Sequence, residues 1–160
     1  MSAYQLDPTI LREYDIRGVI DKSLNAEGAL AIGRAFGTMV VEKGGRTVCV
    51  GYDGRLSSPS LERAVVKGLM ACGLSVVCLG LGPTPMLYFG VKTLPADAGI
   101  MISGSHNPPD YNGFKMTLNA MPFFGEDISR LGEIAAMGAY ADGVGKETRN
   151  FLHSQYVARI

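Results

Sequence analysis

The residues with the clearest chemical potential in this sequence are a serine and a histidine side by side, Ser105 and His106. They follow an apolar run, Ala98 to Ile102, that predicts a buried strand, and they lie in a stretch rich in Gly, Pro and Asn where the chain must turn. In open α/β sheets such loops bind ligands, because a rigid scaffold positions exposed side chains there. A serine hydroxyl is a weak nucleophile, so it does chemistry only when a base activates it or when it already carries a phosphate.

The residues alone leave several interpretations of this pair open. A serine in such a turn is usually only a turn residue, and a histidine beside it is usually a hydrogen-bonding loop residue. A Ser/His hydrolase is the weakest alternative, because the sequence lacks a Gly-x-Ser-x-Gly elbow and an adjacent histidine is poorly placed as a base. Phosphoryl transfer would need an oxygen in line with the phosphorus, cations around the phosphate and an acceptor for the proton of the attacking hydroxyl.

Two cationic side chains lie in or next to distinctive polar stretches of the sequence. Arg17 lies in Tyr14-Asp15-Ile16-Arg17-Gly18 near the amino end, and Lys115 follows the serine stretch. At a phosphate, an arginine would keep its proton and stabilise charge, whereas a lysine could also exchange a proton. The alternatives are a solvated arginine at the surface and, for Lys115, a lysine that protects the edge of a sheet.

Hydrophobic periodicity places these residues in an alternating pattern of helices and strands. Helices are predicted from an N-cap at Asn25 to about Lys43, from an N-cap at Ser58 to Gly73, from Thr84 to just before Pro95, and from Asp127 to Met137. Strands are predicted at Thr47 to Gly51, Val76 to Leu79, Ala98 to Ile102 and Phe114 to Leu118, the last as an antiparallel edge strand. The predicted fold class is α/β: a three-layer α/β/α domain with a mixed, mainly parallel sheet of about four strands.

A second polar stretch, Asp53-Gly54-Arg55-Leu56-Ser57-Ser58, follows the first predicted strand. Asp53 and Arg55 could orient loops at an active site, or they could form an ion pair that holds a local turn. We favour the local turn here, because exposed ion pairs are common and weak.

The composition argues against several classes of partner. Fifteen basic and fifteen acidic side chains cancel, so no long-range positive field attracts nucleic acid or an anionic membrane. The most apolar region, Leu74 to Val91, is broken by glycines and prolines and does not predict a membrane span. Cys49, Cys72 and Cys78 lie among apolar residues without Cys-x-x-Cys spacing, which predicts buried free thiols in a reducing compartment. No signal peptide is visible, and the predicted location is the cytoplasm.

The run Gly104-Ser105-His106-Asn107-Pro108-Pro109-Asp110-Tyr111-Asn112-Gly113-Phe114-Lys115 resembles the phosphoserine loop of the α-D-phosphohexomutases, in its bacterial phosphomannomutase/phosphoglucomutase form. The segment from Tyr14 to Gly18 resembles a second motif of that family, in the same order along the chain. The resemblance implies an isomerase that interconverts the 1-phosphate and 6-phosphate of a hexose, mannose or glucose, through a bisphosphorylated sugar.

The resemblance also implies roles for individual residues. Ser105 would carry the phosphate, with catalytic roles for Ser105, Lys115, Arg17 and His106 and with substrate or phosphate binding by Tyr14 and Asn107. Mg²⁺ would bind through the phosphate on Ser105, its other ligands lying outside this chain, and hexose 1,6-bisphosphate would be the activator and intermediate. The partners implied are a phosphosugar and the remaining domains of the mutase, with neither nucleic acid nor membrane.

The resemblance covers nearly the whole chain but reaches only the first, amino-terminal domain of the family. The Asp-Gly-Asp-x-Asp-Arg loop that holds Mg²⁺ in a second domain of those enzymes is absent from this sequence. Residues 1–145 are therefore predicted to form the phosphoserine domain, and residues 146–160 a linker and the start of a second domain. We expect this chain alone to turn over little substrate. The alternative is a stand-alone, non-catalytic module that binds or senses sugar phosphates.

Overall fold

The structure, a computed structural model, describes residues 3–159, so residues 1–2 and 160 of the predicted ranges lie outside the described residues. The strands are β1 Ile16–Val19, β2 Thr47–Tyr52, β3 Ser75–Leu81, β4 Ala98–Ile102, β5 Tyr111–Leu118, β6 Met121–Pro122 and β7 Lys146–Arg149. The helices are α1 Ala26–Glu42, α2 Ser58–Met70, α3 Thr84–Thr93, α4 Glu126–Met137 and α5 His153–Arg159, and a short 3₁₀ turn, Pro8–Ile10, precedes β1.

The described residues form one mixed sheet with the strand order β1-β5-β4-β2-β3-β7, with β6 paired to β5. β4, β2, β3 and β7 run parallel, and β5 is antiparallel to β1, β4 and β6. The prediction of about four strands is wrong, because this sheet has seven. The additional strands are only two to four residues long, too short for alternation to reveal them.

β5 is not the edge strand that the sequence suggested. β1 pairs along its outer side from Ile16 opposite Phe114 to Val19 opposite Tyr111. Lys115 therefore lies in the body of the sheet, so an edge-protecting role for this lysine does not hold.

Helices cover both faces of the sheet, as the predicted three-layer α/β/α fold requires. α1, α2 and α4 pack on one face, where Phe36, Val65, Ile100 and Phe114 belong to the larger core. α3 covers β2 and β4 on the other face and contacts α5, and the smaller core there contains Leu79, Met86, Met101 and Leu152. Alternate residues of β4, Ile100 and Met101, point to opposite cores because side chains alternate along a strand.

One predicted helix cap is confirmed and one is wrong. The Asn25 side chain accepts a hydrogen bond from the Gly28 amide at 2.9 Å at the start of α1. At α2 the N-cap is Ser57, and Ser58 is the first helical residue. Ser58 does not cap the helix, because its hydroxyl is buried and donates to Asp53 instead.

The segment that follows α4 adds a further strand to the same sheet. β7, which lies in the region predicted as a linker, pairs in parallel with β3. Arg63 on α2 donates to both carboxylate oxygens of Glu147 at 2.9 Å and so ties β7 to the helix layer. In α5 the Tyr156 ring packs edge-on against Phe89, with 5.8 Å between ring centroids. The domain boundary itself stays a prediction.

Cys49, Cys72 and Cys78 are buried free thiols, as predicted. Among the residues that the structure describes, every helix is too short or too polar to cross a membrane.

Candidate active site

Ser105 lies on the loop that leaves the carboxyl end of β4. The Ser103 amide still donates to the Gly113 carbonyl at 3.0 Å, so the loop begins two residues before Ser105. Ser105 itself is exposed and has φ +53°, a left-handed conformation that is uncommon for a residue with a Cβ. Its amide donates to Ser103 Oγ at 3.0 Å. The hydroxyl-bearing residue is therefore exposed on a turn whose backbone is fixed.

The guanidinium of Arg55 lies inside this turn. Its Nη1 donates to the Pro108 carbonyl at 2.6 Å and to the Tyr111 carbonyl at 3.0 Å. Its Nη2 donates to the Asn107 carbonyl at 2.7 Å and to the Ser105 carbonyl at 3.2 Å. One side chain from the loop after β2 thus holds four carbonyl groups of the serine loop.

Asp53 orients this arginine and also contacts the serine loop itself. Its Oδ2 lies 3.4 Å from Arg55 Nε and accepts from the Gly104 amide at 3.0 Å. Its Oδ1 accepts from the Ser58 hydroxyl at 2.6 Å and from the Arg55 amide at 3.1 Å. Burial raises the pKa of Asp53, but hydrogen bonds from Ser58, Gly104, Arg55 and Ser103 outweigh it, and the net pKa is lowered.

A buried amide supports the loops from below. Asn112 is fully buried, and its Nδ2 donates to Ser57 Oγ at 2.8 Å and to Ser58 Oγ at 3.0 Å. Its Oδ1 accepts from the Gly113 amide at 2.9 Å. The start of α2 and the start of β5 are therefore joined under the serine loop.

Arg17 and Lys115 lie on one face of the sheet beside this loop. Arg17 is directly opposite Gly113 across β1 and β5, and Lys115 is two residues further along β5. Because directly opposed residues share a face and side chains alternate, both cations project on the side of Met101, the partner of Lys115 in β4. Gly113 has no side chain to fill the space between them, and a Cβ there would overlap the Ile16 carbonyl oxygen.

The Arg17 guanidinium is oriented by Asp15. Arg17 Nη2 donates to Asp15 Oδ2 at 3.0 Å, and the side chain of Asp15 is 8% exposed while that of Arg17 is 34% exposed. A buried carboxylate thus fixes one side of a half-exposed guanidinium. Lys115 is half-buried, and its side chain forms no hydrogen bond or ion pair with the other described residues.

The remaining predicted residues surround the loop with different degrees of restraint. Asn107 is half-buried, and both its amide and its Nδ2 donate to the Gly104 carbonyl, at 3.0 and 2.9 Å. His106 is exposed. Tyr14 is 75% exposed and stacks on Phe124 with 6.1 Å between ring centroids. The structure thus places Ser105, His106 and Asn107 on one loop, Arg17 and Lys115 beside it, and Tyr14 at the start of the β1 segment.

Asn112 and the contacts of Arg55 were not found by sequence reasoning. Asn112 lies within the serine stretch, but its burial on the side of α2 is fixed by the register of β5. For Asp53 and Arg55 the sequence left two alternatives, an ion pair in a local turn and residues that orient loops at an active site. The structure contains both features, since Arg55 lies 3.4 Å from Asp53 and also donates to the serine loop. The sequence signal that could have revealed this arrangement is the Asp-x-Arg pattern after β2, the strand that lies next to β4 in the sheet.

The described residues do not by themselves form a magnesium site. Within 3–159, no group of three or more His, Cys, Asp or Glu side chains could hold a metal ion. Asp53, the acidic side chain that contacts the loop, already accepts hydrogen bonds at both carboxylate oxygens. A cation near Ser105 would need ligands from elsewhere.

Comparisons with known proteins agree on one family. Residues 8–140 match the family model described as phosphoglucomutase/phosphomannomutase, alpha/beta/alpha domain I. The chain is 42% identical to a Pseudomonas aeruginosa phosphomannomutase/phosphoglucomutase over 155 residues, which is 97% of this chain and 34% of that protein. It is also 42% identical to a Neisseria gonorrhoeae phosphoglucomutase over 149 residues, 92% of this chain and 32% of that protein.

A solved structure gives the same result. A phosphoglucomutase/phosphomannomutase family protein from Burkholderia thailandensis superimposes with a TM-score of 0.92 at 42% identity, over 96% of this chain and 35% of that one. The chain therefore spans about a third of the length of the relatives that it matches.

Proposed function

This chain belongs to the phosphoglucomutase/phosphomannomutase family, as its domain I, and from that premise we propose that it carries the phosphoserine of a hexose-phosphate mutase. The observation that carries this proposal is the placement of Ser105, an exposed hydroxyl on a turn that Arg55 and Asp53 hold at the carboxyl end of β4. Phosphoryl transfer depends mainly on positioning and charge, and a held carrier residue supplies the positioning.

The proposed reaction moves one phosphoryl group out and another back. A hydroxyl of a hexose phosphate attacks the phosphorus on Ser105, the bond to Ser105 Oγ breaks, and a new phosphate ester forms on the sugar. The attacking hydroxyl gives up a proton and Ser105 Oγ gains one. After the bisphosphorylated sugar reorients, Ser105 Oγ attacks its other phosphate, so the sugar leaves as the isomer and the serine is phosphorylated again.

Arg17 and Lys115 would act on the charge and the proton of that transfer. Arg17 remains charged and is oriented by Asp15, so it suits stabilisation of the phosphoryl oxygens. Lys115 lies on the same sheet face with no carboxylate partner among the described residues, so its amine is available to a phosphate or to the hydroxyl proton.

His106 and two further residues have lesser roles in this proposal. His106, exposed beside the carrier serine, would contact the phosphate, and Tyr14 and Asn107 would contact the sugar or its phosphate. A bound Mg²⁺ would supply charge neutralisation at the phosphoserine, to which this chain would give oxygens of the Ser105 phosphate. The other ligands of that ion would come from outside the described residues.

The chain by itself is expected to have little mutase turnover. It spans about a third of its relatives and has no Asp-Gly-Asp sequence. A purified 160-residue chain that converts glucose 1-phosphate at or above ~1 s⁻¹, an ordinary enzymatic rate, would contradict this expectation.

Labelling tests the carrier role directly. The protein as its gene encodes it is incubated with glucose 1,6-bisphosphate carrying ³²P, and intact mass and fragmentation locate the added phosphate. We expect one phosphate at Ser105, its loss in Ser105→Ala, and full labelling in the matched control Ser60→Ala, an exposed serine on α2. Undiminished labelling of Ser105→Ala would disprove the proposed function.

A further inference from the structure

The nitrogens of the Arg55 guanidinium all lie close to oxygens of the protein. Four N–H groups are donated to the carbonyls of Ser105, Asn107, Pro108 and Tyr111. The fifth, on Nε, lies 3.4 Å from Asp53 Oδ2. A guanidinium has five donors and no acceptor. The serine loop takes four of them, and the fifth lies beside the Asp53 carboxylate rather than beside the Ser105 hydroxyl.

We propose that Arg55 is a positioning residue that fixes the backbone of the phosphoserine turn and takes no part in binding phosphate. This inference rests on the proposed function, in which Ser105 carries the phosphate. It assigns Arg55 a role different from that of Arg17, whose guanidinium is half-exposed and has one ion pair with Asp15.

The turn needs such a residue because its own backbone satisfies only some of its carbonyls. Pro108 and Pro109 have no N–H and interrupt regular pairing, and the Pro108 carbonyl accepts from the Tyr111 amide at 3.0 Å. Among the described residues, no backbone amide donates to the carbonyls of Ser105 and Asn107. Ser105 also adopts φ +53°, which is unfavourable for a residue with a Cβ and persists only when its surroundings hold it. Arg55 holds the carbonyl of Ser105, while Ser103 Oγ holds its amide.

Gly104 shows how closely the arginine and the turn fit. A Cβ at position 104 would overlap the Nε and Cζ atoms of Arg55. The backbone at 104 therefore lies directly on the guanidinium, and the Gly104 amide donates to Asp53 at 3.0 Å. The position of the serine turn therefore depends on the planar, rigid guanidinium of Arg55.

A lysine cannot replace this group. An ammonium has three donors around one nitrogen, whereas the guanidinium spreads five donors across a rigid plane and reaches four carbonyls. An arginine that only neutralised phosphate would be partly replaced by lysine, because the charge would remain. Lysine would not replace an arginine that positions the turn, because it cannot hold the four carbonyls in place. Displacement of the reacting oxygen by about 1 Å can lower the rate of transfer ~100-fold.

The test uses Arg55→Lys in the protein as its gene encodes it, with Arg46→Lys as the control. Arg46 is exposed just before β2, at the opposite end of that strand. We expect Arg55→Lys to lower the single-turnover rate of transfer from phosphorylated Ser105 about 100-fold without changing the Kd for a substrate analogue. Amide hydrogen exchange at 103–111 should accelerate, while exchange in β2 and β4 stays at the wild-type rate. Arg46→Lys should match the wild type in all three measurements.

A second variant approaches the same contact from the other side and keeps every charge. Gly104→Ala should reproduce the slow transfer and the fast exchange of Arg55→Lys, because its methyl group displaces the guanidinium. Gly54→Ala is the matched control, since a Cβ at 54 meets only Leu81 Cδ1 at 4.0 Å.

Three outcomes would overturn the inference. Wild-type exchange at 103–111 in Arg55→Lys would show that the turn does not depend on the guanidinium. A weaker Kd in Arg55→Lys with an unchanged single-turnover rate would make Arg55 a phosphate ligand. The same conclusion would follow if Arg55→Lys weakened the Kd while Gly104→Ala kept the wild-type transfer rate and exchange. Failure of the proposed function looks different: Ser105 would then carry no phosphate in the wild-type protein, while the exchange measurements would still decide whether Arg55 fixes the turn.

Discussion

The hydroxyl of Ser58 donates a 2.6 Å hydrogen bond to Asp53 Oδ1. Ser58 is the first residue of α2 and is fully buried, so this bond fixes the carboxylate relative to the helix. The other oxygen of Asp53 accepts from the Gly104 amide. One carboxylate therefore connects α2 to the turn that presents Ser105.

Replacing Ser58 tests this connection through the titration of Asp53. Ser58→Ala removes a hydrogen bond that lowers the pKa of Asp53, so that pKa should rise. The free energy of unfolding should fall by ~1–3 kcal/mol, because Asn112 also loses a buried acceptor. Carboxyl-carbon NMR across an acid titration gives the pKa, and urea unfolding gives the stability. Ser60→Ala, exposed on the same helix, should change neither.

The lowered pKa of Asp53 also predicts how the stability depends on pH. A carboxyl whose pKa is lower in the folded state stabilises the fold above its ordinary value of 3.8 and loses that contribution as the pH falls through the folded value. The free-energy difference between the wild type and Asp53→Asn should therefore be largest at neutral pH and shrink in acid. A difference that grows on acidification would show that the carboxylate is not stabilised by its hydrogen bonds.

The close approach of β1 and β5 at Gly113 gives a third prediction. A Cβ at 113 would overlap the Ile16 carbonyl oxygen and lie 3.2 Å from Arg17 Cα. Gly113→Ala should therefore push β1 away and lower the free energy of unfolding by about 1–3 kcal/mol. Gly28→Ala is the control: it lies in the first turn of α1 with ordinary contacts of 3.5–3.8 Å and should be stabilising by ~0.5–1 kcal/mol. Urea unfolding of both variants measures the contrast, and equal stabilities would contradict the packing described.

Much of the fold could be predicted because its long elements carry their own signals. The apolar run of β4, the Asn25 cap of α1 and the periodicity of α4 are local properties of the sequence. The short strands β1 and β7 carry no such signal, since each forms by pairing with a distant partner. The N-cap at Ser58 was wrong because a tertiary partner, Asp53, captures its hydroxyl.

The candidate site also has parts that the sequence predicts and parts that only the fold reveals. The serine turn and Arg17 were recognisable as contiguous motifs. The buried support from Asn112 and the four carbonyls held by Arg55 were not, because they depend on which strands are neighbours in space. β2 and β4 are adjacent in the sheet, so the loop after β2 meets the loop after β4 although about fifty residues separate them in sequence.

The three cysteines give a fourth prediction. Burial raises the pKa of Cys49 to about 12 and that of Cys78 to about 11, and burial also raises the pKa of Cys72. Thiolate is the reactive form, so all three should resist a disulfide reagent such as DTNB at mildly alkaline pH. The native protein should release almost no thionitrobenzoate while the guanidinium-unfolded protein releases three equivalents. Rapid stoichiometric reaction of the native protein would show that at least one thiol is accessible.

The register of β1 and β5 gives the last prediction, since it puts Arg17 and Lys115 on one face on either side of Gly113. If both act on the same phosphoryl group, as proposed, their contributions to transfer cannot be independent. Arg17→Ala and Lys115→Ala should each lower the single-turnover transfer from phosphorylated Ser105 about 10²–10³-fold, as the loss of one charge-stabilising group does elsewhere. The double variant should be slowed by much less than the product of the two single effects. Lys67→Ala, an exposed lysine on α2, controls for the loss of a positive charge and should retain the wild-type rate. Losses that multiply would mean that the two cations contribute independently, and the proposal that they act together on one phosphoryl group would then be wrong.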